Sequence, residues 1–202
     1  MKNLQFKQLL LLSDTQKKAN QFLFQKRFNL ITADDNSVGK STLAKLLLWT
    51  FGCEPDFDST WKSTDCKCLV DFSIDGTNYK ILRYQNFISL KEENKEILNY
   101  TNIGGDYSKK FAELVDFKVL LPKRGSNETE LITPPPAYYF LPFYMDQKNS
   151  WSKTWNSFGK LGQFDSWQKT VIKYHLGYLS PKHFELEQDL SDNKRQINEL
   201  NQ

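Results

Sequence analysis

"NLITADDNSVGKSTLAKLLLWTFG" occupies Asn29–Gly52 and governs how the rest of the chain is read. Its second half carries Leu43, Leu46, Leu47 and Thr50 at helical spacing, with Gly52 as a natural C-terminal stop. Before them stands "NSVGKST". A phosphate-binding loop lets backbone N–H groups curl around an anion and aims a helix N-terminus at it. In that reading Gly39 permits close approach of the backbone, Lys40 reaches the β- and γ-phosphates, and the Ser41 hydroxyl ligates Mg²⁺. Asn36, Ser37, Val38 and Thr42 complete the cradle. Upstream, "QFLFQKRFNLIT" (Gln21–Thr32) reads as a strand entering a core. Strand, loop and helix are the context such a motif requires, so the stretch predicts ATP with Mg²⁺.

One position departs from the pattern. G-x-x-x-x-G-K-[ST] would put glycine at Asp34. Aspartate tolerates left-handed backbone angles better than most residues, so the turn survives. Charge is the larger matter. A carboxylate about 4 Å from a phosphate is repelled by roughly 1 kcal/mol in water and ~4 kcal/mol at an effective dielectric of about 20. Asp34 and Asp35 are therefore expected to face solvent or cap the loop.

The 202 residues include 39% apolar and 14% aromatic side chains, enough for an ordered core and a single domain or slightly more. A net charge of +3 permits nucleic-acid contact without arguing for it. Cys53, Cys66 and Cys68 are an odd set with too few ligands nearby for zinc, and they read as reduced thiols on or near a strand. "MKNLQFKQLLLLSD" lacks the length and flanks of a signal peptide, and no window approaches the ~20 apolar residues of a membrane span. The expectation is a cytoplasmic protein with no membrane partner.

Leu4–Asp14 reads as a strand. Cys68–Glu92 alternates apolar and polar residues around Asp75-Gly76, an exposed-hairpin signal, and a second polar hairpin follows near Asn94–Tyr100. Tyr107, Phe111, Leu114 and Val115 mark a helix. Pro122–Pro136 is a breaker-rich loop. "AYYFLPFYMDQ" (Ala137–Gln147) reads as a buried strand interrupted by Pro142, and "DSWQKTVIKYHLG" as a helix capped by Asp165 and ended by Gly177. From Ser180, Leu186, Leu190, Asn193, Ile197 and Leu200 repeat at heptad spacing. A short coiled coil and an ordinary amphipathic surface helix both fit.

"FNLITADDNSVGKSTLAKLLLWTFG" resembles the start of SMC/RecF/RecN-type ATPases, the ABC-like heads of chromosome-maintenance and double-strand-break proteins. Asn36, Gly39, Lys40, Ser41 and Thr42 match that pattern and Asp34 does not. The match is close over about the first 50 residues and one of layout beyond them. It implies an α/β P-loop NTPase head lobe with an antiparallel β-subdomain, residues 1–179, followed by the root of a coiled-coil arm, residues 180–202. It also implies a glutamine, after a strand about a hundred residues past Lys40, that completes the Mg²⁺ shell and senses the γ-phosphate. "FYMDQ" puts Gln147 there. The same residues mimic a Walker B strand, in which Asp146 would hold Mg²⁺ and Gln147 would replace the usual catalytic glutamate. Both readings stay open. Asp71, after "CLV", is a weaker candidate for the same role.

An L-S-G-G-type signature and a Walker B with glutamate are not found. In SMC-like proteins they lie in a C-terminal lobe beyond the coiled coil. The resemblance therefore implies ATP hydrolysis only when Lys40 and Gln147 are completed by that lobe and by a second copy of the head, joined through ATP. It further implies double-stranded DNA and accessory or effector subunits as partners, in repair or in anti-phage and anti-plasmid defence. The divergent loop and the "FYMDQ" element together resemble defence-type SMC proteins, such as those of Lamassu-type systems, more than housekeeping ones. The alternative is a non-hydrolysing nucleotide-binding module that organises a partner complex. A simple P-loop kinase lacks any substrate-side base or arginine constellation.

Several residues read both ways. Tyr138, Tyr139, Phe140, Phe143, Tyr144, Trp151 and Trp155 suit base stacking or core packing. Lys123, Arg124, Lys148, Lys153 and Lys160 suit DNA phosphates or plain solvation. His175 and His183 stand apart from any nucleophile or metal cluster and read as structural or surface residues.

Overall fold

The period-two alternation from Cys68 to Glu92 becomes the middle of a six-stranded antiparallel sheet in a computed structural model that describes residues 2–35, 39–125, 130–148 and 155–200. The strands are β1 (Leu4–Ser13), β2 (Lys18–Leu23), β3 (Cys66–Ile74), β4 (Thr77–Tyr84), β5 (Phe87–Glu92) and β6 (Ile97–Tyr100), in the order β2-β1-β3-β4-β5-β6. Asp75 and Gly76, at φ 47° and 89°, both left-handed, make the tight β3–β4 turn. The expectation of an exposed hairpin is corrected. These strands are central, and Cys68, Val70, Phe72, Ile74, Ile81, Ile88 and Leu90 are buried on one face. Asp71, on the other face, pairs with Lys80 across the β3–β4 ladder at 3.3 Å.

Helix α1 (Lys40–Thr50) leaves the loop and packs its C-terminal half on β3 and β4. Phe51, wholly buried, then sits among four rings, with centroids 5.6 Å from Phe6, 4.9 Å from Phe72, 6.1 Å from Phe111 and 5.7 Å from Phe140. Burying one such ring contributes about 1.5–3 kcal/mol. Gly52 ends the helix at φ 95°. A Cβ there would lie 3.0 Å from Ile103 and 3.1 Å from Tyr107. The glycine thus serves the backbone angle and the close approach of α2 (Asp106–Val115) together. Arg83, 2% exposed, reaches up from β4 to the Trp49 and Cys53 carbonyls, stacks at 4.2 Å on Trp49, and pairs with Glu54 at 2.6 Å. A buried guanidinium needs that many partners.

Two short strands, β7 (Leu121–Pro122) and β8 (Leu131–Ile132), interrupt the proline-rich loop. The Ala137–Gln147 strand is corrected: Ala137–Phe140 is a helical turn, α3, followed by a 3-10 turn at Leu141–Phe143. Its first five residues, Ala137–Leu141, are buried on every side, which strand and helix satisfy equally, and Pro136 and Pro142 suit the first turn of helical segments. α4 (Trp167–His175) forms as expected but without its aspartate cap. Asp165 is drawn instead to Arg124, Nε to Oδ1, at 3.0 Å.

The helix α5 (Pro181–Leu200) is also present. Phe184 roots it against Tyr174, ring centroids 5.7 Å apart, while Leu186, Leu190, Ile197 and Leu200 are all more than half exposed. The strand expected to run to Thr32 stops at Leu23. Phe24 still donates to Lys7, but residues 25–33 have no regular structure, and Phe28 and Leu30 are 74% exposed. Both edges of β1 are occupied by β2 and β3, so the segment has no ladder partner among the described residues. No described helix is long and apolar enough to cross a membrane.

Candidate nucleotide site

The site is built at the N-terminus of α1. Gly39 sits just before it at φ 91°, in the left-handed region, with open space where a Cβ would be. Among the described residues no side chain caps the helix, and its first internal bond runs from Leu43 N–H to the Gly39 carbonyl at 2.9 Å. The first-turn amides and the positive end of the helix dipole therefore face outward, a combination that suits an anion. Lys40 Nζ donates to the Asp35 carbonyl at 2.7 Å and ties the two ends of the loop together. Ser41 is exposed beside it, and Thr42 is half-buried. Asp34 and Asp35 are exposed, as their charge requires. Asn36, Ser37 and Val38, expected to line the cradle, lie outside the described residues.

A second element reaches the same helix. Asp146, 2% exposed, lies 3.3 Å from Lys45 Nζ. Lys45 follows Ser41 by one turn and shares its face of α1. The Asp146 carboxylate also accepts from the Tyr144 hydroxyl at 3.2 Å and from the Lys148 N–H at 3.1 Å. Burial, and then the adjacent carboxylate, push the Tyr144 phenol up, which keeps it a donor. The Asp146 N–H donates to Ser157 Oγ at 3.3 Å, and that hydroxyl donates to the Tyr144 carbonyl at 2.8 Å. Lys148 closes the assembly on Asp56 at 2.9 Å, while Lys45 also donates to the Asp56 carbonyl at 2.6 Å. Gln147, between two held residues, is exposed.

This bears on magnesium. Mg²⁺ keeps several waters and takes only one or two protein oxygens beside substrate phosphates, so a hydroxyl and one further oxygen suffice. The exposed Ser41 hydroxyl fits that demand. Among the described residues Asp146 is engaged by three donors, Lys45, Tyr144 and the Lys148 N–H, whereas Gln147 beside it is exposed. The arrangement suits Asp146 as an anchor and Gln147 as the group that reaches out. Among the described residues no cluster of three or more His, Cys, Asp or Glu could hold a metal by itself.

The other candidates separate clearly. Tyr138, Tyr139 and Phe140 are core, and Tyr144 stacks on Phe158 at 5.4 Å. Trp155 packs against His175 at 5.9 Å, and Phe143 is 63% exposed. Arg124 and Lys148 are paired with Asp165 and Asp56, and Lys160 lies 3.9 Å from Glu54. Trp151 and Lys153 lie outside the described residues. His175 is held among rings, and burial pulls its pKa down, while His183 pairs with Glu187 one turn along α5. Lys45 and Ser157 carry no motif. The only sequence hint for Lys45 is its spacing of four from Ser41.

The chain is 27% identical over 180 residues to Lamassu protein LmuB of Bacillus cereus (strain VD014), which covers 89% of this chain and 31% of that protein. It is 27% identical over 136 residues to Lamassu protein LmuB of Bacillus sp. (strain NCIM 5461 / CCTCC AB 2011126 / NIO-1130), covering 67% of this chain and 23% of that protein. The chain thus spans less than a third of the length of these relatives. No protein-family model matches it. These similarities link it to Lamassu systems.

Proposed function

We propose that this Lamassu-related chain is the ATP-binding N-terminal portion of an SMC-like head that serves bacterial defence against phage or plasmids. The observation that carries the reading is the open N-terminus of α1, with Gly39 left-handed and Lys40 folded across the loop to Asp35. An entering triphosphate takes the outward first-turn amides, and Lys40 exchanges its carbonyl partner for the phosphates. Ser41 and Gln147 would hold Mg²⁺, which would supply neutralisation of the phosphate charge. Asp146, held by Lys45, keeps Gln147 beside α1. A second head, the complementary C-terminal lobe, accessory subunits and double-stranded DNA are the partners of this reading.

The test is Lys40→Ala, titrated with a fluorescent ATP analogue and Mg²⁺. Affinity is expected to fall at least about tenfold, or about 1.4 kcal/mol, with thermal stability unchanged. Equal affinity of the two proteins would overturn the site. A second reading, a nucleotide-organised module without turnover, is favoured by one observation: the residue after Asp146 is Gln147, an amide with no general-base capacity. Tight ATP binding without phosphate release from the complete assembly would select it.

A further inference from the structure

The cysteines of β3 carry chemistry that nucleotide binding does not use. Cys66 and Cys68 lie two apart on one strand and so share a face, and their sulfurs are 3.9 Å apart. Cys66 opens the strand, directly after Asp65 in a left-handed turn, where the backbone is not held on both sides by a ladder. It is half-buried and lines a cavity of about 910 Å³ together with Trp49, Trp61, Asp65 and Arg83. A small solute therefore has a route to Cys66. Cys68 is wholly buried, opposite Leu11 on β1 and Arg83 on β4. Cys66, 3.9 Å away sulfur to sulfur, offers it a route to oxidation.

We propose that Cys66 and Cys68 are a peroxide-reactive dithiol, in which Cys66 is attacked first and Cys68 resolves it into an intrastrand disulfide. The Cys66 thiolate attacks one oxygen of a hydroperoxide, the O–O bond breaks, and Cys66 becomes a sulfenic acid as hydroxide leaves. Cys68 then gives up its proton, its sulfur displaces the sulfenic oxygen as water, and the S–S bond forms. Two thiols and one hydrogen peroxide become one disulfide and two waters, so the sulfur pair is oxidised by two electrons and the peroxide reduced by two.

The order of attack follows from the surroundings. The sulfur–sulfur contact, in which Cys68 is the donor once Cys66 is a thiolate, holds the Cys66 pKa below its ordinary value, while that same contact and burial push Cys68 up. Cys53 provides an internal comparison: it is wholly buried, and burial raises its pKa well above the usual thiol range. The bridge would be a labile one. Residues two apart on a strand have Cα atoms about 6.6 Å apart, at the long end of the range disulfides accept, and strained bridges are easily reduced.

Trypsin makes the test direct, because Lys67 lies between the two sulfurs. After brief treatment of the full chain with hydrogen peroxide, intact mass is expected to fall by about 2 Da, the loss of two hydrogens. Non-reducing digestion should yield the peptides 63–67 and 68–80 joined, and dithiothreitol should separate them. Cys53→Ser should behave as the parent, and Cys66→Ser should lose the link. Cys68→Ser should instead leave a dimedone-trappable sulfenic acid at Cys66, a readout independent of nucleotide binding. Free, alkylatable Cys66 and Cys68 after peroxide would overturn the proposal, as would a bridge running through Cys53 or between two chains.

Discussion

The two ends of α1 are built on opposite principles. At the C-terminal end Trp49, Thr50 and Phe51 are buried, Arg83 binds the Trp49 carbonyl, and Gly52 lets α2 close in. At the N-terminal end Gly39 and Ser41 are exposed, no described side chain caps the helix, and Lys40 reaches across its own loop to Asp35. Eleven residues of one helix therefore span the change from packed anchor to open anion cradle. The division follows from what each end must satisfy. Aromatic rings gain from close contact, whereas free amides are useful only while unpaired.

Substitutions at the anchored end should change stability and leave ligand chemistry intact in whatever folds. Phe51→Ala removes a ring packed on four others and should cost about 3–5 kcal/mol, read from urea unfolding. A loss below about 1 kcal/mol would mean the cluster is not the anchor. Gly52→Ala meets both the positive φ and the Ile103 contact, and should cost about 1–3 kcal/mol in the same assay.

At the open end the effects should fall on binding. Asp34→Asn removes a charge from the loop and should tighten ATP up to about tenfold at low salt, with the gain shrinking as salt rises. A gain unaffected by salt would point to backbone relief instead. The smallest effect belongs to His175 on the packed side. Burial depresses its pKa in the folded chain, so its neutral form is the one that folds. The unfolded chain takes up the proton first as pH falls through 6.5, and stability declines from there down toward the folded pKa. Melting temperatures between pH 7 and pH 5 should fall less steeply in His175→Gln than in the parent. Parallel profiles would remove His175 from the account.

Most regular elements were legible because their periodicity is local. β1, the β3–β5 meander, α1, α2 and α5 follow from spacing and punctuation such as Asp75-Gly76 and Gly52. Two segments were not. Residues 29–32 have a strand composition, but a strand exists only where another chain segment accepts its hydrogen bonds. Residues 137–143 are apolar on all sides, which erases the periodicity that separates helix from strand. The loop motif declared Gly39, Lys40 and Ser41 by type and order. The tie from Lys45 to Asp146 was silent, because ion pairs across a hundred residues leave no spacing to read.

Packed at Phe51 and open at Gly39, α1 is a rod held more firmly at one end than at the other. Small rotations at the firmer end are multiplied by the length of the rod, and a load at the tip is felt at the base. The amides of the last turn should exchange hydrogen with solvent far more slowly than those following Lys40. A nucleotide gathered at the tip should stiffen the helix from its free end inward, and the exchange rates along Ser41, Thr42 and Leu43 would record how far that stiffening travels.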